Sequence, residues 1–314
     1  NVKRGNLETK AMNDFHSYVK KSLIKDNSRP GNNLLDISCG RGGDLNHWID
    51  SRLNYIIGVD YNRENLDNPD NGACVRILNN QDKTSNLADN ILFIWGDSSK
   101  NYIDGEAGKD ELNKYYLDII YGNADQRKIN NNKLEKIYNI GNIEQGFGFD
   151  IVSCQFSFHY FFENTDKLDG VLSNVANSLK KGGLFIGTTL DGKKVFDLLK
   201  KEKTVMKHQY SQLLWKISRK YDEDTFSDNE SCLGYKIDVY MESIGKTNTE
   251  YLVNYDYLET VLLDYNLKIK TYIDFEDMFI ELNKNKDKYG DALNMIDELK
   301  TYSFLNKCFV IEKI

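Results

Sequence analysis

Five short apolar runs, at residues 34–37, 55–59, 91–95, 149–154 and 184–190, place the strongest constraint on the fold of this chain. Each run is nearly continuous instead of alternating with polar residues, as in strands that are buried on both faces. A helical pattern separates the first two runs at residues 44–51, and another separates the last two at residues 167–180. Strands and helices in alternation predict an α/β fold with a doubly wound, mainly parallel sheet.

The remaining segments are predicted to surround this sheet. A helix at residues 6–25 precedes the core, which spans residues 31–200 and carries a polar insertion at 99–148 with a helix near 111–121. A small β-containing excursion follows at residues 204–257, with strands at 234–243 and 251–254, and closing strands lie within 267–314, at 267–273 and 308–311. We expect an antiparallel closing strand and a single domain over residues 1–314.

Composition excludes several classes of protein. With 40% hydrophobic residues, the 314-residue chain can bury a full core, and no apolar run approaches the roughly 18 residues of a membrane span. The formal net charge of −7 argues against binding long duplex DNA. Five dispersed cysteines without a Cys-x-x-Cys pair favour a reducing, cytoplasmic setting over a disulfide framework or zinc site. Because the chain begins with Asn, we consider it a candidate excised domain.

A turn rich in small residues follows the first strand. Residues 34–44 read Leu-Leu-Asp-Ile-Ser-Cys-Gly-Arg-Gly-Gly-Asp, and Asp60 ends the next strand twenty residues after Gly40. In a doubly wound fold such a turn admits a ligand, and the later acid accepts hydrogen bonds from ribose hydroxyls. Asp44 at the helix start competes with a pyrophosphate, which favours S-adenosylmethionine over NAD. The alternative is a glycine-rich turn that binds nothing.

Two further stretches add to this pattern. Asp97 follows the third strand, where it is placed to accept the adenine amino group, although a lone Asp there is usually an ordinary cap. After the fourth strand come Gln155, Phe156, His159 and Tyr160, an aromatic group with polar neighbours that suits a purine base. The alternative for the adjoining aromatic residues is a hydrophobic corner under a loop.

These segments together resemble the mRNA cap guanine-N7 methyltransferases. The resemblance covers most of residues 10–190, and residues 68–76 further resemble the versions at the C-terminal end of capping enzymes of large cytoplasmic DNA viruses, such as asfarviruses. The matching motifs are Gln155-Phe156-x-x-His159-Tyr160, Asp36-x-x-Cys39-Gly40-x-Gly42-Gly43-Asp44, and Phe15 with Lys20 in the preceding helix.

The resemblance implies a class I Rossmann-like methyltransferase fold, S-adenosylmethionine as methyl donor, and N7 of the guanosine cap (GpppN) as acceptor. No side chain is expected to act as an acid or base, because N7 carries a lone pair and no proton, and no metal is expected. The residues that it assigns to the cofactor are Lys20, Ser38, Gly40, Asp60, Asp97, Gln155 and Tyr160. The residues that it assigns to the cap and its phosphates are His16, Ser17, Arg41, His47, Arg76, Phe156, His159, Glu242 and Asn306.

Some of these positions depart from the family pattern. His47 stands where Lys or Arg is common, which weakens the phosphate contact at neutral pH. His16 and Ser17 replace a pair that is often Asn-Asn or His-Asn, and Asn306 lies where the family has a late Tyr. Glu242 rests on a Val-x-x-Glu spacing alone, and its alternative is a solvated strand residue.

The resemblance also implies partners. They are the 5'-capped end of RNA and triphosphatase or guanylyltransferase domains of the same longer polypeptide, in the cytoplasm, a viral factory or a virion. Two other readings stay open, namely a methyltransferase for another acceptor and a catalytically silent module that stabilises a capping partner. Methyl transfer to GpppA distinguishes these readings.

Overall fold

The computed structural model describes residues 8–80, 88–284 and 289–314. Within them, six strands of a seven-stranded central sheet run in the same direction, and β11 runs antiparallel to both of its neighbours. This arrangement confirms the predicted fold class, including the antiparallel closing strand. The spatial order of the strands is β10 (Leu267–Asp274), β11 (Asn306–Lys313), β5 (Leu179–Leu190), β4 (Phe149–Gln155), β1 (Leu34–Asp36), β2 (Ile56–Asp60) and β3 (Ile91–Trp95).

The apolar runs form strands because both faces of the sheet are covered. Neighbouring residues such as Leu34 and Leu35 are almost fully buried, yet they belong to two different hydrophobic clusters on opposite faces. The helices that accompany these strands are α1 (Lys10–Asp26), α2 (Leu45–Asp50), α3 (Arg63–Asp67), α4 (Ala73–Leu78), α5 (Glu111–Tyr121), α6 (Asn132–Lys136), α7 (Thr165–Ser178), α8 (Gly192–Leu198), α9 (Tyr255–Leu262), α10 (Phe275–Lys284) and α11 (Asp297–Ser303). None of the helices in the described residues is long and apolar enough to cross a membrane.

The topology reverses between β4 and β1, since chain connections leave these adjacent strands in opposite directions. The crevice at the carboxyl ends of such strands is the usual ligand site of open α/β sheets. Helix α1 packs its apolar stripe, which includes Phe15 and Val19, against this end of the molecule. The predicted helix at residues 6–25 therefore exists from Lys10 onward, and its residues 6 and 7 lie outside the described range.

A second, antiparallel sheet forms in the predicted excursion. Its strands are, in order, β6 (Thr204–Gln209), β7 (Gln212–Arg219), β8 (Lys236–Met241) and β9 (Lys246–Tyr251). The predicted strand at 234–243 corresponds to β8, whereas the one at 251–254 is wrong because β9 ends where it was expected to begin. The reason is local: the Asn254 side chain accepts hydrogen bonds from the backbone N–H groups of Asp256 and Tyr257, so it caps α9.

The insertion at 99–148 folds back on the central sheet. The backbone N–H of Asp97 donates to Ala107 over 2.8 Å, and that of Lys109 donates to Trp95 over 3.1 Å. Asn113 in α5 accepts a further bond, from the Trp95 N–H at 2.8 Å. The insertion therefore closes over the carboxyl end of β3. Strand β5 begins at Leu179, before the predicted start at residue 184, and its pairing with β4 is interrupted at residues 180–183.

Candidate active site

A cleft of about 640 Å³ lies at the carboxyl ends of β4 and β5, between α1, α11 and the inward face of β8 and β9. Strand alternation places Val239 and Met241 of β8 opposite Asn248 and Lys246 of β9 on this face. The cleft brings together residues that the sequence assigned to the cofactor and to the cap. Those that line it are His16, Ser17, Lys20, Arg76, Phe156, His159, Tyr160 and Asn306.

The aromatic wall of the cleft is held by backbone and side-chain contacts. Phe156 has a φ of 55°, in the left-handed region, and its N–H donates to the Thr188 carbonyl at 2.8 Å. The His16 ring stacks on the Phe156 ring with centroids 4.9 Å apart, and its Nε2 lies 2.9 Å from the Ser303 hydroxyl. Desolvation lowers the pKa of His16 to about 3, so this ring is neutral. A flat, uncharged platform results.

A buried pair, His159 and Glu250, forms the polar part of the cleft. His159 Nε2 lies 3.8 Å from a carboxylate oxygen of Glu250, and both side chains are almost fully buried. Burial lowers the pKa of His159 to about 3 and raises that of Glu250 to about 8. Sequence reasoning missed Glu250 because it placed a strand at 251–254. The alternation of β9, which puts Asn248 and Glu250 on one face, would have found it.

Glu242, the acid predicted from the sequence, does not line this cleft. It directly follows Met241, whose side chain does line the cleft, so alternation directs Glu242 away from it. Its Oε2 accepts a hydrogen bond from the backbone N–H of Thr9 at 3.0 Å. Glu242 therefore connects the start of α1 to the β8–β9 turn, and Glu250 is a buried acid that lines the cleft.

The predicted phosphate contacts are not brought together. Arg76 lines the cleft, whereas the guanidinium of Arg41 is bonded to the Asn65 and Asn71 side chains and lies outside its lining. His47 is buried behind Ser17, with Nε2 3.3 Å from the Ser17 hydroxyl. Burial lowers the pKa of His47 to about 4, so it carries no charge for a phosphate at neutral pH.

The C-terminal wall contains Asn306 and a tyrosine that the sequence did not predict. Asn306 is buried, and its Nδ2 donates to the Ser303 carbonyl at 3.0 Å. Tyr302, in α11, also lines the cleft. Burial raises the pKa of Tyr302 well above its usual range, with the nearby Glu250 adding to the effect. An aromatic residue is thus present on this side, four positions before the residue that replaces the family's Tyr.

Beside the cleft, the glycine turn connects β1 to α2. Gly40 has a φ of 55°, and a Cβ placed on it would meet no atom within 4 Å, so the space beside the turn is open. Asp60 accepts hydrogen bonds from the Gly40 N–H at 2.8 Å and from Asn65 Nδ2 at 2.9 Å. Asp60 is almost fully buried, and its carboxylate therefore fixes the turn to the end of β2.

A group of charges lies where α1 meets this turn. Lys20, which lines the cleft, forms an ion pair with Asp44 at the start of α2. Asp36 is buried nearby, and desolvation together with the Asp44 charge raises its pKa to about 8. One cation beside two carboxyl groups suits a ligand that carries both an ammonium and a carboxylate.

The other predicted cofactor residues are placed as follows. Asp97 accepts from the Ser99 hydroxyl at 2.7 Å and pairs with Lys109 at 3.3 Å; burial opposes ionisation, but these contacts lower the pKa of Asp97 overall. The Gln155 side chain is bonded to the hydroxyls of Ser153 and Thr188, each at 3.1 Å. Ser38 is partly buried, with its hydroxyl 3.6 Å from Cys154 Sγ. Tyr160 is 43% exposed and lies against His159.

Comparison with known proteins gives this geometry a family. The family model described as "mRNA (guanine-N(7))-methyltransferase domain" matches residues 2–304. Among curated relatives, the "Probable mRNA-capping enzyme" of Acanthamoeba polyphaga mimivirus is 28% identical over 260 residues, covering 80% of this chain and 20% of that protein. The mRNA cap guanine-N(7) methyltransferase of Saccharomyces cerevisiae is 25% identical over 275 residues, covering 86% of this chain and 53% of that protein.

The chain thus spans a fifth to about half of the length of these relatives. Among solved structures, the CcbJ methyltransferase from Streptomyces caelestis aligns with a TM-score of 0.50 and 11% identity, covering 95% of this chain and 89% of that one, which supports the fold. Since the family model extends over nearly the whole chain, the chain belongs to the mRNA (guanine-N(7))-methyltransferase domain family.

Proposed function

We propose that this chain transfers a methyl group from S-adenosylmethionine to N7 of the guanosine in the GpppN cap of mRNA. The observation that carries the proposal is the His159–Glu250 pair, which lies in one cleft with the Phe156 platform and with Lys20 of the charged group beside the glycine turn. Family membership supports the same acceptor.

The polar pair complements the edge of a guanine base. Guanine offers an acceptor at O6 and donors at N1 and N2. The Glu250 carboxylate accepts from N1–H and N2–H₂, a His159 Nε2–H donates to O6, and the base stacks on the aromatic wall formed by Phe156 and His16. An ionised Glu250 also favours the cationic methylated product. Glu250 here takes the role that sequence reasoning gave to Glu242.

The donor set beside the turn fits S-adenosylmethionine. Asp60 would accept from the ribose hydroxyls along the open side of Gly40, and Lys20 and Asp36 would hold the carboxylate and ammonium of the methionine portion. Asp97 would accept from the adenine amino group, with Ser38, Gln155 and Tyr160 as the further predicted contacts. When bound, this cofactor supplies an electrophilic methyl group on a sulfonium sulfur.

The chain's own contribution to the reaction is positioning. N7 of guanine carries a lone pair and no proton, so no side chain has to remove one. The low pKa of His159, about 3, makes it too weak a base to take a proton at neutral pH. His159, Glu250 and the stacking residues orient N7, and the compact cleft limits competing water.

The proposal also assigns residues to the phosphates of the substrate and places the chain within a longer polypeptide. Arg76 is the predicted phosphate residue that lines the cleft, and Ser17 and Asn306 line it as further predicted cap contacts. We propose that residues 1–314 act as one methyltransferase domain on capped RNA, in the cytoplasm, alongside triphosphatase and guanylyltransferase domains. The mimivirus relative, of which this chain covers 20%, supports such a longer polypeptide.

The decisive experiment offers the chain a labelled methyl donor with GpppA, GTP, tRNA or a peptide pool. We expect transfer to GpppA, and no transfer to GpppA that is already methylated at N7, which serves as the matched control. Transfer to tRNA or peptide instead would identify another acceptor. Donor binding without transfer to any acceptor would favour the silent module.

A further inference from the structure

The two ring nitrogens of His159 have different surroundings. Nδ1 lies 3.4 Å from the hydroxyl oxygen of Thr189, which is completely buried in β5. Nε2 points toward Glu250, 3.8 Å away, and has no hydrogen-bond partner among the described residues. Since desolvation keeps the ring neutral, it carries one proton, on one nitrogen or the other.

We propose that Thr189 is a positioning residue that holds this proton on Nε2, and that it thereby sets the specificity of the cleft for a purine with an oxo group at position 6. Among the described residues, His159 is the hydrogen-bond partner of the Thr189 hydroxyl. If that hydroxyl accepted from Nδ1–H, its own hydrogen would be buried without an acceptor. If it donates to Nδ1, both groups are satisfied.

The surroundings of Nε2 favour the same tautomer. Above about pH 8, where Glu250 is ionised, a proton on Nε2 faces the Glu250 carboxylate, whereas a lone pair there would face another lone pair. The cleft then offers a donor from His159 next to acceptors from Glu250, in the order that guanine requires. Adenine has an amino group at position 6 and an acceptor at N1. Its amino group would face the His159 donor, and its N1 lone pair would face the Glu250 acceptor. This specificity argument rests on the proposed function, whereas the tautomer itself does not.

The tautomer can be measured directly in the whole chain without any substrate. The chain has four histidines, so ¹⁵N-histidine labelling gives a small set of ring signals, and a His159→Asn variant assigns the one of interest. At about pH 9, where Glu250 is ionised, we expect His159 to show a protonated Nε2 and an unprotonated Nδ1. In Thr189→Val, which has nearly the same shape without the hydroxyl, we expect this single pattern to be lost, and in Thr189→Ser to be kept. A wild-type proton on Nδ1, or an unchanged spectrum in Thr189→Val, would overturn the proposal.

The consequence for specificity is measured with two dinucleotides, GpppA and the same compound with 2,6-diaminopurine in place of guanine. The two compounds differ at position 6 and also at N1, where 2,6-diaminopurine lacks the proton of guanine. The difference at N1 affects wild type and every variant alike. A change between proteins in the ratio of kcat/KM for the two compounds therefore reports on position 6. We expect Thr189→Val to reduce the guanine preference by at least about tenfold and Thr189→Ser to stay within about threefold of wild type.

Thr204→Val is the matched control, because it removes a threonine hydroxyl that bonds to Ser218 at 3.0 Å in the β6–β7 pair. We expect its guanine preference to equal that of wild type. If the guanine preference of Thr189→Val also equals that of wild type, the role of Thr189 in specificity is refuted. Failure of the wild type to methylate GpppA at all would refute the proposed function instead, while leaving the tautomer measurement valid.

Discussion

Replacing Glu250 with Gln should weaken recognition of the cap by roughly two orders of magnitude. The carboxylate is buried in the cleft and can accept two charge-assisted hydrogen bonds from guanine, whereas the amide offers one acceptor and turns an N–H toward the second donor. A hydrogen bond to a charged group contributes about 1.5–3 kcal/mol. The repulsion between the amide N–H of the variant and the second N–H donor of guanine adds to the loss.

Protonation of Glu250 in the wild type reduces this difference in affinity between wild type and variant. Burial raises the pKa of Glu250 to about 8, so at pH 7 most molecules must release a proton before guanine binds, at a cost of about 1.4 kcal/mol per pH unit. The net expectation for Glu250→Gln at pH 7 is about 3 kcal/mol, or roughly 150-fold in kcat/KM for GpppA. In wild type, kcat/KM should rise with pH up to about 8 and then level off, and in the variant this rise should disappear.

The stability of the unliganded protein provides a second measurement. The pKa of Glu250 in the folded protein, about 8, lies above its ordinary value of 4.5, so between these values the folded chain holds a proton that the unfolded chain has released. The wild-type free energy of unfolding therefore falls as pH rises through this window. Glu250→Gln should melt at a higher temperature than wild type at pH 8, with the difference shrinking toward pH 5.

Glu242→Gln is the control on the same hairpin. Its amide oxygen can still accept from Thr9, so both kcat/KM and its pH dependence should match wild type within about threefold. Equal losses in the two variants would show that the hairpin acts only structurally. A Glu250→Gln protein that is folded and binds GpppA as tightly as wild type would refute the assignment of Glu250 to the guanine edge.

Three further predictions concern the donor, the reaction and the phosphates. Asp60→Ala should weaken S-adenosylmethionine binding by roughly 2–3 kcal/mol in calorimetry, because the variant lacks the carboxylate that accepts hydrogen bonds from the ribose and from the Gly40 N–H. Unchanged affinity in a folded variant would exclude this pocket. With both substrates saturating, kcat should stay nearly flat between about pH 7 and 9, and a steep rise that His159→Ala abolishes would show proton transfer by His159. Arg76→Ala should raise the KM for capped RNA and flatten its salt dependence, with donor affinity unchanged, whereas Arg41→Ala, outside the cleft lining, should do neither; equal effects of both would remove Arg76 from the phosphate site.

The sequence by itself determined the central sheet, the glycine turn and the aromatic segment after β4. Each is encoded by neighbouring residues: continuous apolar runs require cover on both faces, and small residues before α2 leave open space beside Gly40. Asp60 and Asp97 could be placed because the carboxyl ends of parallel strands lie along one edge of the sheet. These inferences needed no knowledge of distant contacts.

Only the tertiary structure decided which polar residues share the cleft. Glu242 and Glu250 belong to one hairpin, and the register of β8 against β9 directs Glu250 into the cleft and Glu242 toward Thr9. A shift of one residue along a strand exchanges its two faces, so a strand predicted a few residues too late conceals the correct acid.

Burial and long-range packing decided the remaining positions. His47 lies behind Ser17 and is neutral because α1 and α2 pack together, and Tyr302 reaches the cleft only because α11 packs beside β6 and Trp215. Such contacts join segments far apart in the chain. Their free energy depends on which surfaces exclude water together, and no local pattern of residue types records that information.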